Sequence, residues 1–326
     1  MYIKDLKFSL WADFIERDYL DNEFRELIAQ GIVNGATSNP SIFKNAILTS
    51  SAYKEQLLAL ASLSPKEKYE AVAIYDIQKA ADILEPLYKL GDDGYVSIEV
   101  DPYLCDDADA TIEEGKRLFA QIGRKNVMIK VPATAAGYVA MRELVASGIP
   151  VNATLIFKKE QALACAEAFG EGMREHGSEV ATVISVFVSR IDRALDGMLG
   201  ANGVATGLSG IYNSATIYAE VEKLGIKGCR TLFASTGVKD DSLPAHYYIE
   251  KLLAYNSINT APIETIKAFC ADGVQVKALP IEPKTIEEHF EKIKSLDIDF
   301  DAVLSKQIAD GLQAFKDAFK DILESL

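Results

Sequence analysis

The chain has 326 residues, 49% of them apolar and 25% charged, with a formal net charge of -14, so it can bury a barrel-sized core. So acidic a balance excludes a broad basic surface for nucleic acid or anionic lipid, yet leaves room for a local basic pocket that takes a small phosphate. Cys105, Cys165, Cys229 and Cys270 form no C-x-x-C pair, the start MYIKDLKFSLWADF lacks the pattern of a secretory leader, and no membrane span is encoded, so a reducing cytoplasm is expected.

Eight short apolar, β-branched runs follow one another: 8–13, 32–37, 95–100, 126–132, 150–157, 180–188, 230–235 and 256–261. Helical periodicity fills the gaps, as in DATIEEGKRLFAQIG, GYVAMRELVASG, KKEQALACAEAFGEGM, IYNSATIYAEVEKLG and PIETIKAFCADG. Repeated β-α order implies a parallel sheet with helical crossovers, and eight units imply an α/β fold, the (β/α)8 TIM barrel. No Pro/Gly/Ser-rich linker interrupts the chain, so residues 1–326 are expected to form one domain. Residues 283–326 contain no strand-like run and space Ile308, Leu312, Phe315, Phe319 and Ile322 as a helix does, which predicts closing C-terminal helices laid against the barrel.

Barrel active sites form at the C-terminal ends of the strands, so polar residues late in apolar runs are the candidates. Asp13 follows Leu10-Trp11-Ala12, Thr37 and Asn39 close the second run, Glu99 sits in VSIEV and Lys130 in VMIKV. Asn152 and Thr154, two apart and therefore on one face, lie in the fifth run, and Ser185 lies in the sixth. A buried lysine must be paired, exposed at an edge or neutral, and only the neutral amine attacks a ketone to form an imine, the electron sink that lets a neighbouring C–C bond break without a metal. Two plainer readings stand beside this one: Lys130 as a charge guarding an edge strand, and Glu99 as salt-bridged scaffold.

Phosphate recognition has its own candidates. Arg190 stands just beyond the sixth run in FVSRID, and Ser235, Gly237 and Lys239 just beyond the seventh in FASTGVKDD. Amides of a Ser-Thr-Gly turn, a hydroxyl and two cations would match a dianion at a helix start. Alternatively, Arg190 pairs with Asp192 or Asp196. No metal or cofactor is expected: His176, His246 and His289 are isolated, and the acidic run DDADATIEE lacks the glycine of a calcium loop and reads as a helix start.

Five ordered motifs, TSNPSIF (37–43), SIEVDPYL (97–104), MIKVPAT (128–134), VNATLIF (151–157) and SVFVSRID (185–192), resemble those of the transaldolase family over roughly Ser9 to Pro262. The resemblance implies a (β/α)8 barrel and Schiff-base transfer of a dihydroxyacetone unit between sugar phosphates in the non-oxidative pentose phosphate pathway. By resemblance, Lys130 is the Schiff-base lysine, Asp13 the acid-base residue for C–C cleavage, and Glu99 with Thr154 the holder of the catalytic water. Asn39 and Asn152 then meet substrate hydroxyls, Thr37 and Ser185 line the ketol pocket, Phe187 forms a wall, and Arg190 and Ser235 take the phosphate. Many members carry an arginine soon after the serine of the seventh strand, whereas this chain has Lys239, as in a branch with ASTG followed by lysine. Two other functions fit much of this pattern: a fructose-6-phosphate-type aldolase that releases free dihydroxyacetone, and a non-catalytic sugar-phosphate-binding barrel. Partners are expected to be small sugar phosphates, with neither nucleic acid nor membrane, and a homo-oligomer stays open.

Overall fold

Along 127–131, Val127, Ile129 and Val131 alternate with Met128 and Lys130, and that period of two decides which residues meet helices and which meet the barrel axis. The three β-branched side chains pack into the shell between strands and helices, while Met128 joins a separate cluster with Trp11, Val183, Leu232 and Ile258. Burying each such aliphatic side chain contributes roughly 1.5–3 kcal/mol. The computed structural model describes residues 2–239 and 243–326.

Among the described residues, nine strands form one sheet: β1 (Tyr2–Ile3), β2 (Phe8–Ala12), β3 (Gly35–Thr37), β4 (Tyr95–Glu99), β5 (Val127–Pro132), β6 (Val151–Ile156), β7 (Thr182–Phe187), β8 (Cys229–Ala234) and β9 (Ser257–Ala261). From β2 to β9 every pairing is parallel, and β2 pairs with β9 to close the barrel. The fold is therefore the (β/α)8 barrel that the repeat predicts, with β1 added antiparallel to β2. The second run, expected over 32–37, yields a strand only at Gly35–Thr37, because the amides of Ile32 and Val33 turn back to the Leu27 carbonyl at the end of the helix Glu23–Ala29.

Trp11 fills the barrel beneath the mouth. Its indole donates to Asp93 Oδ2 at 3.0 Å, and Gly35 must lack a side chain there, since a Cβ would lie 2.6 Å from the ring. The acidic run opens a helix as expected: Asp107 caps Ala108–Ile122 by accepting from the Ala110 amide. At the C-terminus the helices Pro283–Ser295 and Phe300–Ser325 follow one another, and the second packs on the helix Pro40–Thr49, with Lys44 and Asp321 paired at 2.5 Å. No helix among the described residues is long and apolar enough to cross a membrane.

Candidate active site

Inward-facing positions turn polar toward the C-terminal strand ends. Glu99 on β4, Lys130 on β5 and Asn152 on β6 share one register row, and Thr154 stands two residues further along β6. Lys130 is 5% exposed and Glu99 6%, and Nζ lies 3.4 Å from Glu99 Oε2 and donates to the Ser38 carbonyl at 3.1 Å. β5 has a partner on each side in a closed sheet, which rules out the edge-strand reading of Lys130. The pairing reading of Glu99 does describe the geometry: an ammonium unpaired at this depth would cost several kcal/mol. Even so, 3.4 Å is an ion-pair distance rather than a hydrogen bond, and both Glu99 oxygens, like Thr154 Oγ1, are buried without a hydrogen-bond partner among the described residues. Burial pushes the Glu99 carboxyl up to about 7, against the pull of Lys130 and with a small push from Asp13.

Above this row opens a cavity of about 260 Å³ that gathers Asp13, Thr37, Asn39, Lys130, Thr154, Ser185, Phe187, Arg190, Ser235 and Lys239. Glu99 and Asn152 do not line it. Asn152 is fully buried, accepting from Ser185 Oγ at 2.7 Å and donating to Ser97 Oγ at 3.3 Å. Asp13 sits one residue past β2, held by the Thr37 hydroxyl at 2.7 Å, and that hydroxyl lies as close to Thr260 Oγ1. Asn39 caps the helix Pro40–Thr49, its Oδ1 accepting from the Ile42 amide at 3.0 Å, which pins one end of the amide and leaves Nδ2 free of protein partners among the described residues.

The opposite wall is cationic. Arg190, in the first turn of the helix Ser189–Ala201, stacks its guanidinium over Phe187 at 5.0 Å and makes no ion pair among the described residues. Asp192 is not its partner, being occupied by the Gly210 amide at 2.8 Å and the Tyr248 hydroxyl at 2.9 Å. Burial and the neighbouring Arg193 lower the Arg190 pKa, against the weaker pull of Asp13 and Asp310. Ser235 follows β8 in the left-handed region (φ 55°), linked to Ser189 through both backbone and hydroxyl. Among the described residues the Ser235-Thr236-Gly237 segment opens no helix, and the next described one is Tyr247–Lys251, so its amides act without a helix dipole, contrary to the sequence expectation.

Among the described residues, Lys130, Arg190, Arg193 and Lys239 line the cavity against one carboxylate, Asp13, an imbalance that suits a dianionic ligand in an otherwise acidic chain. Several lining residues escaped the sequence reading. Thr260 obeys the rule that singled out the others, a polar residue late in its strand, and Arg193 lies one turn from Arg190 on the same helix. Ser41, Ile42 and Asn45 share one face of Pro40–Thr49. Phe315 comes from the C-terminal helix Phe300–Ser325, and no local signal marks it.

Fold and site together define a class: a (β/α)8 barrel whose mouth joins a buried lysine, with a carboxylate beside it, to an anion-accepting wall. Within that class, the chain belongs to the transaldolase/fructose-6-phosphate aldolase family, whose model matches residues 10–326. It is 45% identical to a transaldolase of Campylobacter jejuni (strain RM1221) over 330 aligned positions, covering 98% of this chain and 99% of that protein. It is likewise 43% identical to a transaldolase of Helicobacter pylori (strain ATCC 700392 / 26695) over 320 positions, with 98% and 99% covered. The match includes the C-terminal helices, beyond the Ser9 to Pro262 span of the recognisable motifs.

Proposed function

We propose that this chain catalyses the transaldolase reaction, moving a dihydroxyacetone unit from sedoheptulose 7-phosphate to glyceraldehyde 3-phosphate and giving erythrose 4-phosphate and fructose 6-phosphate. The observation that carries the reading is Lys130: an amine at the floor of a cationic cavity, with Glu99, a carboxyl poised near 7, at 3.4 Å. Glu99 takes the ammonium proton, and the neutral amine adds to the donor ketone and loses water to form the protonated imine. Asp13, directly or through a water, takes the C4 hydroxyl proton; the C3–C4 bond breaks, the aldose phosphate leaves and its electron pair enters the imine as an enamine. The enamine then attacks the acceptor aldehyde, and a water held by Glu99 and Thr154 hydrolyses the new imine.

In this reading Thr37 orients Asp13, and Asn39 offers Nδ2 to a substrate hydroxyl. Asn152, which does not line the cavity, serves the hydroxyls through Ser185, whose Oγ donates to it, with Phe187 as wall. Arg190 and Ser235 take the phosphate, and Lys239, exposed at the rim, adds charge without a bidentate fork, which supports a place in the branch with lysine after ASTG. Four unpaired thiols fit a reducing cytoplasm.

Borohydride reduction in the presence of fructose 6-phosphate should fix a three-carbon adduct on Lys130, found by peptide mapping. Absence of that adduct would leave only the non-catalytic binding barrel. The aldolase alternative is separated by the acceptor: transfer requires product to depend on added aldose phosphate, whereas equal release of free dihydroxyacetone without acceptor would favour the aldolase.

A further inference from the structure

Two aromatic rings line the cavity, and they come from different parts of the chain. Phe187, at the end of β7, lies under the Arg190 guanidinium at 5.0 Å, on the phosphate side. Phe315 comes from the helix Phe300–Ser325, outside the barrel repeat, yet it is 3% exposed and its ring centre lies 5.7 Å from Lys130 Nζ.

That helix is held down along its length: Tyr103 OH donates to the Lys316 carbonyl, Phe319 meets Tyr69 edge to face at 5.1 Å, and Lys44 pairs with Asp321. At Gly311, one turn before Phe315, a Cβ would stand 2.9 Å from Leu155 and 3.4 Å from Arg190 Nη1, so a missing side chain lets the helix lie close over the strand ends. Leu155 itself, next to Thr154, has φ 58°, a strained value for leucine.

An apolar ring over the reacting amine can do little proton chemistry, but it can keep water away. The enamine formed after cleavage has two fates: attack on the acceptor aldehyde, or protonation at carbon followed by addition of water to the imine, which frees dihydroxyacetone and regenerates the amine. From the position of Phe315 we infer that this ring is the cover that biases the enamine toward transfer, by keeping water from protonating the nucleophilic carbon next to the one bound to Lys130. The C-terminal helix thereby determines which of the family's two reaction outcomes this chain favours. This inference rests on the transfer reading above.

The test uses the full chain with fructose 6-phosphate as donor and erythrose 4-phosphate as acceptor, measuring free dihydroxyacetone against transfer product. Phe315→Ala should raise that ratio about tenfold or more, and Phe315→Leu, which keeps the helix packed, should raise it less. Phe319→Leu, on the same helix but facing Tyr69, should leave the ratio near wild type. Borohydride trapping at Lys130 should persist in all three. An unchanged ratio in Phe315→Ala with trapping intact overturns the inference and spares the transfer reading. An equal rise in Phe319→Leu overturns it too, since general loosening of the helix would then be the cause. Loss of trapping in the unaltered chain instead sinks the imine reading itself.

Discussion

Glu99 and Lys130 stand at one register on neighbouring strands, 3.4 Å apart, and neither Glu99 oxygen has a hydrogen bond among the described residues. Two polar groups so deeply buried and so loosely bonded are costly as a structural pair, and the arrangement makes sense if a proton has to pass between them.

The pH profile should report this pair. Glu99 is pushed up to about 7 by burial, so its proton-accepting form grows as pH rises through that value. Transfer should therefore show an acidic limb near neutrality, its rate climbing with pH. Glu99→Gln should slow exchange about 10²- to 10⁴-fold and flatten the limb. A limb that survives unchanged in Glu99→Gln would mean another group titrates.

Arg190 should act on binding more than on chemistry. It stacks on Phe187, lacks a carboxylate partner among the described residues and lines the cavity beside Arg193. Arg190→Ala should raise KM for phosphorylated donors about 10- to 100-fold, the loss of a charge-assisted hydrogen bond, with a smaller change in kcat. Arg190→Lys should recover only part, since a point charge cannot replace the planar fork. An equal loss with an unphosphorylated ketose donor would place Arg190 elsewhere in the reaction.

How much of this was legible in the sequence follows from the same geometry. Strand ends could be read because most inward residues near the mouth, Phe187 and Ala234 excepted, are polar while their neighbours stay aliphatic, as in Val131 flanking Lys130 or Ala153 between Asn152 and Thr154. The third strand shrank because Ile32 and Val33, strand-like by side chain, spend their amides on the preceding helix, a backbone choice that side-chain pattern does not encode. β1, two residues long, is too short for any period. Phe315 was legible as a helix position but not as a cavity wall, because its role depends on where a tail more than 180 residues from Lys130 comes to rest.

Stability should also fall as pH rises toward neutrality. Asp192 is 1% exposed, and burial, aided by Asp196, lifts its carboxyl to about 7 despite its bond to the Gly210 amide. The unfolded chain releases that proton near about 4, so between the two values the folded state holds more protons and loses stability with increasing pH. Glu99 adds to the slope with the same sign. Asp192→Asn, whose Oδ1 still accepts from the Gly210 amide while its Nδ2 can donate to the Tyr248 oxygen, should flatten the fall in Tm between about pH 5 and 7. A Tm profile as steep as the parent's would show that Asp192 is not the source.

The last prediction concerns a glycine that sets the position of Lys130. Gly137 lies in the first turn of the helix Ala135–Ala146, where the Thr134 hydroxyl caps its amide at 3.0 Å. A Cβ on Gly137 would fall 2.0 Å from the carbonyl oxygen of Pro132, the last residue of β5 and two residues beyond Lys130. That carbonyl already accepts from the Thr134 amide at 2.9 Å, so it cannot swing aside without breaking the turn that joins strand to helix. Elsewhere, Gly to Ala in a helix gains about 1 kcal/mol. Gly197→Ala, in Ser189–Ala201 with open space around the new Cβ, should show that gain. Gly137→Ala should instead lose roughly 2–5 kcal/mol and depress exchange, because the end of β5 must shift and carry the amine away from Glu99. Thermal melts of the two variants side by side decide the matter: equal Tm values would mean that the approach of helix to strand is looser than 2.0 Å implies.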